Sequence, residues 1–510
     1  MSETLTAIYD IVWSQWLVWL CLAAGLYFSV RLVFPQIRLL GRMAHEILHG
    51  EESDSGVSSF QALAISLSGR VGTGNIAGVA TAIAMGGPGA VFWMWMVAFL
   101  GASTSFIEST LGQIYKERDD SGEYRGGPAY YIEKGLGQRW YGILFAIVSV
   151  LAMGLFMPGV QSNGIAEAMN SAWGVDPLWV AIIVVIALAF IVVGGIKRIA
   201  TFASMVVPFM AVGYIVLALI VLVVNISEVP GVLKLVFSSA FGMDSALGGI
   251  LGATIAWGVK RGIYSNEAGQ GTGPHAAAAA EVSHPAKQGL VQAFAVYIDT
   301  LFVCSATAFM ILSTGMYEVF DEKNGEALLL EGPAEVHGAA AGPSYTQAAL
   351  DTVFHGLGGS FVAIALLFFA FTTIVAYYYM AETNMTYLFR NASPMARAVA
   401  VRLVQLVILL ATAYGAVQSA ADAWTLGDIG VGLMAWLNII AILILQGPAV
   451  KALKDYQRQL KEGRDPQFDP REVGISNADF WVDRVEGRFR KGQGEAVVTG
   501  TDGAHPTGLR

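Results

Sequence analysis

Two glycine-rich segments carry polar and ionisable residues inside otherwise apolar stretches. The first is SLSGRVGTGN, residues 66–75, and the second is KRGIYSNEAGQGTG, residues 260–273. Non-helical backbone cannot face lipid, because each unpaired N–H or C=O group costs several kcal/mol there. The N–H groups that open a half-helix suit a carboxylate, whereas freed carbonyl oxygens suit a cation. The two segments therefore predict a binding site for a zwitterion and a sodium ion.

Close helix packing is the alternative interpretation of the glycines. Small residues four apart, such as Gly74 and Gly78, are common where membrane helices cross. Packing needs no ionisable groups, however, and each is costly in hydrocarbon. A functional site is therefore favoured by the accompanying side chains, which are Arg70, Asn75, Lys260, Arg261, Asn266 and Glu267. A phosphate-binding loop is disfavoured because no Gly-Lys-Ser/Thr follows the first segment.

Composition places these segments in a membrane protein. Hydrophobic residues make up 55% of the chain and charged residues 14%, and the mean hydropathy is +0.57. Cys21 and Cys304 lie in apolar runs, which argues against disulfides and thiolate metal sites. The net charge of -9 argues against a nucleic-acid partner. A membrane-embedded enzyme is disfavoured because metalloprotease and nucleophile motifs are absent from the sequence, and a channel remains a further alternative.

The polar segments must be positioned by membrane-spanning helices. A helix needs about 20 apolar residues to cross the hydrocarbon core, and the sequence predicts eleven such spans. We expect the fourth to be kinked at Pro158 and Gly159. The predicted spans are 12–33, 60–85, 90–114, 140–170, 178–194, 200–224, 246–275, 288–314, 360–388, 398–416 and 427–448.

The loops between spans differ in their content of lysine and arginine. One set carries nearly all of these residues, whereas the alternate loops carry little beyond Lys234 and Lys323. Positive loops face the cytoplasm, so the amino terminus is predicted outside and the carboxyl terminus inside a bacterial inner membrane. From Lys451 onward the chain turns polar and is expected to form a partly disordered cytoplasmic tail.

The two polar segments lie five spans apart. This spacing predicts two five-helix repeats of opposite topology, each opening with a discontinuous helix. The expected organisation is an extra N-terminal helix with its cytoplasmic loop (1–59), a first repeat (60–224), an inverted second repeat (225–450) and the tail (451–510). The predicted fold class is thus an all-α integral membrane protein of eleven transmembrane helices.

Several blocks of the sequence resemble the alanine or glycine:cation symporter family, also called the sodium:alanine symporters. The matching blocks include GTGNIAGVATAI (72–83), GGPGAVFWMW (86–95), GGPAYYI (126–132) and SNEAG (265–269). The resemblance extends over the membrane portion and implies a LeuT-type 5+5 inverted-repeat core with one added N-terminal helix. It also implies sodium- or proton-driven import of a small neutral amino acid such as alanine or glycine. Glutamine or serine stays open as the substrate.

The resemblance also implies roles for individual residues. The substrate site is implied at Thr73, Gly74, Asn75, Gln161, Thr373 and Tyr377, and the sodium site at Gly69, Gly72, Thr372 and Thr373. Back-bonding of the two threonines to their own helix is the alternative for that pair. This chain has Pro158 where family members commonly carry asparagine, and Tyr377 where they carry tryptophan, so the preferred amino acid is less defined than the family.

Further ionisable residues lie within the predicted spans. Glu108, Asp299 and Glu382 are candidates for a transport role, because a buried carboxylate needs a partner or a proton. Pairing with Arg70, Lys260 or Arg261 is the structural alternative. The predicted gating or ion-pair set is Arg70, Glu108, Lys260, Arg261, Asn266, Glu267 and Asp299.

Overall fold

The computed structural model describes residues 3–51, 53, 56–119, 122–243, 247–321 and 327–488. In this part of the chain eight helices are long and apolar enough to cross a membrane. The protein is therefore a multi-pass, all-helical membrane protein. These eight helices are Thr4–Arg31, Ala90–Ile114, Arg139–Trp173, Gly195–Val224, Pro285–Thr314, Gly358–Phe389, Pro394–Val417 and Ala420–Lys461.

The other three predicted spans have a different form. The fifth corresponds to the short apolar helix Pro177–Val192, and the second and seventh are each divided into two helices. Eight of the eleven predicted spans are thus long and apolar enough to cross a membrane, and the count of eleven stays a prediction. The two divided helices are the ones that carry the glycine-rich segments.

The α-helices of the first half begin in several cases at a proline, which suits the first helical turn because its missing N–H would be unpaired there. Pro35, Pro128 and Pro177 are such starts. The helices are α1 Glu3–Val12, α2 Gln15–Arg31, α3 Pro35–Arg38, α4 Leu40–Leu48, α5 Ser59–Arg70, α6 Val79–Gly86, α7 Ala90–Ile114, α8 Pro128–Leu136, α9 Arg139–Leu151, α10 Met157–Trp173, α11 Pro177–Val192 and α12 Gly195–Val224.

The second half shows the same arrangement of long helices joined by short ones. Pro285, Pro343 and Pro394 again begin helices. The helices are α13 Val229–Ala240, α14 Leu251–Asn266, α15 Gly273–Ala279, α16 Pro285–Val296, α17 Ser305–Thr314, α18 Pro343–Asp351, α19 Gly358–Phe389, α20 Pro394–Val417, α21 Ala420–Lys461 and α22 Asp479–Val485.

Irregular helical turns and two small hairpins complete the described elements. The π-helical segments are Gly74–Gly78, Ala152–Phe156 and Tyr297–Cys304, and a 3₁₀ turn is Gly248–Ile250. β1 (Glu117–Arg118) pairs antiparallel with β2 (Tyr124–Arg125), and β3 (Val319–Asp321) pairs antiparallel with β4 (Ala327–Leu330). A π turn widens a helix locally and often marks a functional site. One of them, Ala152–Phe156, directly precedes Pro158, where the sequence predicted a kink.

The helices differ in how much surface they present to lipid. In the apolar windows of α12 and α20 only 33% of the residues are buried, against 67% in α19. Exposed side chains such as Phe209 and Leu403 make those outer helices apolar toward the bilayer. The two divided helices, which begin with α5 and α14, lie inside together with α10 and α19.

The amino-terminal helix differs from the predicted continuous span 12–33. Helix starts at Glu3, and α1 and α2 are separated at Trp13 and Ser14. Partners outside the helix explain the interruption: Trp436 Nε1 donates to the Val12 carbonyl at 2.9 Å, and Trp13 Nε1 donates to the Asp428 carbonyl at 2.7 Å. The extra helix is therefore fastened to α21.

The segment after Lys451 is folded in the described part, contrary to the expected partly disordered tail. α21 continues to Lys461, and residues 462–488 fold back across the face predicted to be cytoplasmic. Trp481 is 1% exposed and donates to the Gln113 carbonyl at 2.8 Å, while the Phe468 N–H donates to the Ser283 carbonyl at 3.1 Å. Residues 489–510 of the predicted tail lie outside the described residues.

Candidate functional site

The first divided helix is interrupted where the glycine-rich sequence predicted. α5 begins with a capping box formed by Ser58 and Gln61 and ends at Arg70. Val71 then adopts an extended conformation, with φ -79° and ψ 90°, before helix resumes at Gly74. The interruption, which we call the first break (residues 71–73), is fully buried.

Side-chain amides hold the backbone donors of the first break. The Gly72 N–H donates to Asn75 Oδ1 at 2.8 Å, and the Thr73 N–H donates to Gln161 Oε1 at 2.9 Å. A Cβ at Gly72 would lie 2.5 Å from Thr373 Oγ1 and 2.7 Å from Gln161 Oε1. Only glycine fits there, so the structure brings five of the predicted site residues together around one point.

The hydroxyl of Thr373 lies against carbonyl oxygens of the first break. Its Oγ1 is 2.8 Å from the Ser68 oxygen, 2.9 Å from the Phe369 oxygen and 3.3 Å from the Val71 oxygen. One hydroxyl proton cannot satisfy three acceptors, so the site is rich in oxygen. Hard oxygen ligands of this kind are the ones that an alkali cation requires.

The break frees two of these carbonyls. In a continuous helix the Ser68 oxygen would accept the Gly72 N–H, and the Val71 oxygen would accept the Asn75 N–H. Here the Gly72 N–H turns to the Asn75 side chain, and the Asn75 N–H turns to the Gly72 oxygen at 3.2 Å. The interruption thus leaves the Ser68 and Val71 carbonyl oxygens without their usual helical N–H partners, so they can bind a different group.

Three residues of the predicted sodium set, Gly69, Gly72 and Thr372, do not place an oxygen against the Thr373 hydroxyl. The carbonyls beside Thr373 are those of Ser68 and Val71, rather than those of Gly69 and Gly72, because the break begins after Arg70 and frees acceptors one residue earlier than the glycines suggest. Thr372 donates to the Phe369 carbonyl of its own helix at 2.9 Å and faces Met210 Sδ at 3.9 Å. Both threonines therefore bond back to Phe369 of their own helix, but of the two only Thr373 also lies within hydrogen-bond distance of the Ser68 and Val71 oxygens.

The second divided helix is interrupted later than the sequence predicted. Residues 260–266 are helical, and the second break comprises residues 267–272, between α14 and α15. The Asn266 side chain caps the end of α14 by accepting the Ala268 N–H at 3.0 Å, and its Nδ2 has no partner among the described residues. Gly269 and Gly271 have φ values of +90° and +85°, a region that only glycine enters readily.

Glu108 holds the second break in place. Its carboxylate accepts the Gly269 N–H at 3.2 Å and the Gly271 N–H at 3.1 Å, and Asn438 Nδ2 donates to it at 2.7 Å. The side chain therefore replaces the carbonyl acceptors that an unbroken helix would supply. The sequence left open a transport role or a structural pairing for Glu108. This geometry matches a structural role, although the partners are backbone N–H groups and not an arginine or lysine.

A buried carboxylate joins the two breaks. Asn75 Nδ2 donates to Asp299 Oδ1 at 2.6 Å, Ser265 Oγ donates to Oδ2 at 2.9 Å, and Thr300 donates to Oδ2 at 2.7 Å. Asp299 is 0% exposed and lies in the π segment Tyr297–Cys304. The first break, the end of α14 and this π segment are thus tied by one side chain.

Tyr264, Gly74 and Tyr377 complete the enclosure of the first break. A Cβ at Gly74 would lie 3.1 Å from the Tyr264 ring, and Gln161 Nε2 donates to the Tyr264 hydroxyl at 3.4 Å. Tyr377 is 1% exposed, and its hydroxyl lies beside Gln161 and Glu267. The space next to the Gly72 and Thr73 amides is therefore walled by small and aromatic groups.

An ion pair closes the site toward the face predicted to be outside. Arg261 and Asp428 form two hydrogen bonds of 3.0 and 2.8 Å, and both side chains are 2% exposed. The Arg261 guanidinium also lies 4.3 Å from the centre of the Trp424 ring. A cavity of about 760 Å³ reaches inward as far as these residues. The sequence missed Asp428, although it falls inside the predicted span 427–448.

Lys260 lies beside this cavity and does not pair with the three predicted carboxylates. Its ammonium is 4.0 Å from the centre of the Trp257 ring and donates to the Tyr9 hydroxyl. Aromatic faces and a hydroxyl therefore surround this cation near the outer end of α14.

Arg125, in the β1–β2 hairpin, is held by three carboxylates. Its guanidinium binds Glu382 at 3.1 Å, Asp119 at 2.6 Å and Glu123 at 3.2 Å. Burial alone would lower the pKa of Arg125, but Glu382 and Asp119 raise it above its usual value. Glu382 thus has a structural partner, which the sequence did not identify because Arg125 lies in a loop.

The family-level comparison extends along nearly all of the membrane portion. A family model described as the sodium:alanine symporter family matches residues 1–470. The chain belongs to the sodium:alanine symporter family. The resemblance inferred from residue blocks is thereby confirmed.

Individual relatives of this sodium:alanine symporter family protein are close in sequence. YrbD of Bacillus subtilis strain 168, named as a candidate sodium/proton-dependent alanine carrier, is 59% identical over 94% of this chain and 98% of its own length. A sodium/proton-dependent alanine carrier of Bacillus sp. strain PS3 is 51% identical over 89% of this chain and 100% of its own length.

The fold of this protein is also similar to that of a solved structure. A Na⁺-coupled sialic acid symporter in a substrate-bound, outward-open state superposes with a TM-score of 0.51 at 15% identity, covering 95% of this chain and 98% of that one. At this identity the likeness concerns the fold alone. The helix arrangement is thus that of a known transporter architecture.

Proposed function

We propose that this protein imports alanine together with sodium by alternating access. The observation that carries the proposal is the oxygen cluster at Thr373, which lies directly beside the buried amide donors of Gly72 and Thr73. A cation site and a carboxylate site thus share one break in one helix. Membership in the sodium:alanine symporter family, and two relatives named for alanine, support this substrate pair.

The substrate carboxylate binds the amide donors of the first break. These donors are satisfied by the oxygens of Asn75 and Gln161, which are neutral acceptors. A carboxylate accepts more strongly than a side-chain amide, since charge-assisted hydrogen bonds are roughly twice as strong as neutral ones. The carboxylate of alanine therefore displaces the Gln161 oxygen at the Thr73 N–H, and Gln161 turns to the substrate.

Close packing around the break limits the size of the substrate. Gly72 leaves no room for a methyl group on the side of Thr373, and Tyr264 contacts Gly74. A pocket with these walls accepts a methyl side chain more easily than the long side chain of glutamine. Hydrophobic pockets of this kind separate substrates that differ by one methylene only by roughly 1–3 kcal/mol, so glycine and serine compete with alanine.

Sodium is the co-substrate, and its site is formed by the Thr373 hydroxyl with the carbonyls of Ser68 and Val71. The Val71 carbonyl and the Gly72 N–H donor belong to one peptide unit, so the two sites share backbone. Holding the carbonyls fixes the backbone of the break, so sodium raises the affinity for alanine and alanine raises the affinity for sodium by the same factor. This reciprocity prevents either solute from crossing alone.

The proposed architecture is a LeuT-type core of eleven transmembrane helices. Residues 60–224 and 225–450 form the inverted repeats, the amino terminus is outside, and the carboxyl terminus is cytoplasmic. The Arg261–Asp428 pair closes the external path, and the Arg125–Glu382 pair lies on the internal path. Rocking of one helix group against the other breaks these pairs alternately.

Uptake by purified protein in liposomes tests the proposal. Radiolabelled alanine, glycine, serine and glutamine are supplied with and without an inward sodium gradient, and Asn75→Ala serves as the site variant. Concentrative alanine uptake that requires sodium, and is lost in Asn75→Ala with normal membrane insertion, supports the proposal. Uptake of glutamine in preference to alanine changes the substrate, and equal uptake without sodium overturns sodium coupling.

A further inference from the structure

Glu267 occupies the first position of the second break and is 1% exposed. Its φ is +58°, a left-handed conformation that helix ends usually assign to glycine or asparagine. A non-glycine residue is strained in this conformation. The strained position therefore carries a carboxylate side chain where glycine would carry only a hydrogen atom.

Four other buried carboxylates near the breaks all have close donors. Glu108 accepts two backbone N–H groups, Asp299 accepts from three side chains, and Asp428 and Glu382 pair with arginines. In contrast, neither oxygen of Glu267 accepts a hydrogen bond from a described residue. A buried charge without donors is costly, so Glu267 is suited to bind something else.

The surroundings of Glu267 provide further oxygen atoms. The hydroxyls of Thr272 and Tyr377 lie next to the carboxylate, outside hydrogen-bond geometry, and Thr272 Oγ1 also has no partner among the described residues. One Glu267 oxygen lies 3.3 Å from the point that a Cβ at Gly69 would occupy. The group therefore sits beside the inner half of the first divided helix, one residue from the Ser68 carbonyl.

Charge in this region is not balanced by protein groups. Arg70 lies within electrostatic range of Glu267, Glu108 and Asp299, which leaves an excess of two negative charges when all are ionised. Arg70 itself donates to the Gln292 carbonyl and to Ser105 Oγ. One cation at Thr373 leaves one negative charge without a partner in the membrane interior, where such charges are expensive.

We propose that the Glu267 carboxylate, flanked by the hydroxyls of Thr272 and Tyr377, binds a second monovalent cation that is transported with alanine and with the sodium at Thr373. The ligand chemistry is that of an alkali cation or a proton, and the described residues contain no group of three His, Cys, Asp or Glu side chains able to hold a metal ion. This inference rests on the proposed alanine and sodium symport.

Four titratable groups face Glu267 from the elements around it. They are Arg70 of α5, Asp299 of the π segment, Tyr377 of α19 and Tyr264 of its own helix α14. Arg70 is the cationic group among these four. Because Gly69 follows Ser68, a cation at Glu267 and sodium at Thr373 would contact neighbouring residues of the same short segment.

Alanine accumulation in liposomes tests the proposal, with the membrane potential clamped at zero. A tenfold inward sodium gradient supports about tenfold alanine accumulation with one coupled ion and about 100-fold with two, because each coupled ion contributes its own gradient. A one-unit pH gradient, acid outside, adds about tenfold only when a proton is coupled. Wild type, Glu267→Gln and Glu167→Gln are compared under both gradients, since Glu167 is a largely buried membrane carboxylate beside the outer cavity.

If the proposal is correct, wild type and Glu167→Gln accumulate alanine about tenfold further than one coupled ion allows. Glu267→Gln loses this additional accumulation. The sodium gradient alone produces this additional accumulation if the second cation is sodium. The pH gradient produces it if the second cation is a proton. Wild-type accumulation of only about tenfold, unaffected by pH, or a Glu267→Gln variant equal to wild type, overturns the inference. Failure of wild type to accumulate alanine in a sodium gradient overturns instead the proposed function.

If Glu267→Gln abolishes alanine exchange altogether, Glu267→Asp provides a second test. Aspartate keeps the carboxylate but withdraws it by one methylene, so the additional accumulation is expected to persist with a weaker apparent affinity for the second cation. An unchanged concentration dependence for both sodium and protons in Glu267→Asp contradicts the proposal.

Discussion

Replacing Thr373 by valine removes one oxygen from the proposed sodium site and little else. Valine keeps the branched shape, so the packing of α19 is preserved. The lost hydroxyl lies 2.8 Å from the Ser68 oxygen and 3.3 Å from the Val71 oxygen. Interactions of a hydrogen-bonding group with a charge contribute about 1.5–3 kcal/mol, so the half-saturating sodium concentration should rise by about 10-fold to 150-fold.

The adjacent Thr372 offers a matched control in the same helix. Its hydroxyl donates to Phe369 and faces Met210, away from the first break. We therefore expect Thr372→Val to change the half-saturating sodium concentration by less than about twofold, a change of only a few tenths of a kcal/mol. The assay is the sodium dependence of alanine uptake, normalised to the protein inserted. A Thr373→Val variant with wild-type sodium affinity, or a larger effect at Thr372, would refute the assignment.

Three further outcomes follow from packing and charge. Gly72→Ala should abolish uptake because its Cβ would lie 2.5 Å from a hydroxyl oxygen, whereas Gly78→Ala, whose nearest neighbour is 3.7 Å away, should transport normally in the same assay. Asp428→Asn leaves the Arg261 guanidinium buried without its partner and should lower the free energy of unfolding by about 3–5 kcal/mol, read from thermal melting in detergent; an unchanged melting temperature would contradict that ion pair. Trp481→Ala should cost about 3–5 kcal/mol by the same measurement, unlike a substitution in a solvated tail, which would leave melting unaffected.

Periodicity and charge in the sequence located most of the membrane elements. Long apolar runs require helices in lipid, and glycine with polar residues at membrane depth requires an interruption that protein encloses. Both divided helices were predictable for these reasons. The exact end of α14 was not, because Asn266 can cap a helix from within a segment that looks broken throughout.

Contacts between distant parts of the chain could not be predicted from the sequence. Val71 and Ser68 carry ordinary side chains, and only the direction of the Gly72 and Asn75 N–H groups reveals that their carbonyls are free. Arg125 could not be assigned to Glu382, since loop positions give no information about membrane depth. Asp428, by contrast, could have been found by the rule that flagged Glu108.

The folded carboxyl-terminal segment has a consequence for biosynthesis. Trp481 binds the Gln113 carbonyl and Phe468 binds the Ser283 carbonyl, which ribosomes make hundreds of residues earlier. Membrane helices enter the bilayer in order during translation, but this face must wait for the final segment before its backbone groups are satisfied. The last stretch of the described chain therefore packs only after all of the membrane helices have been made, which makes its docking a late step of folding.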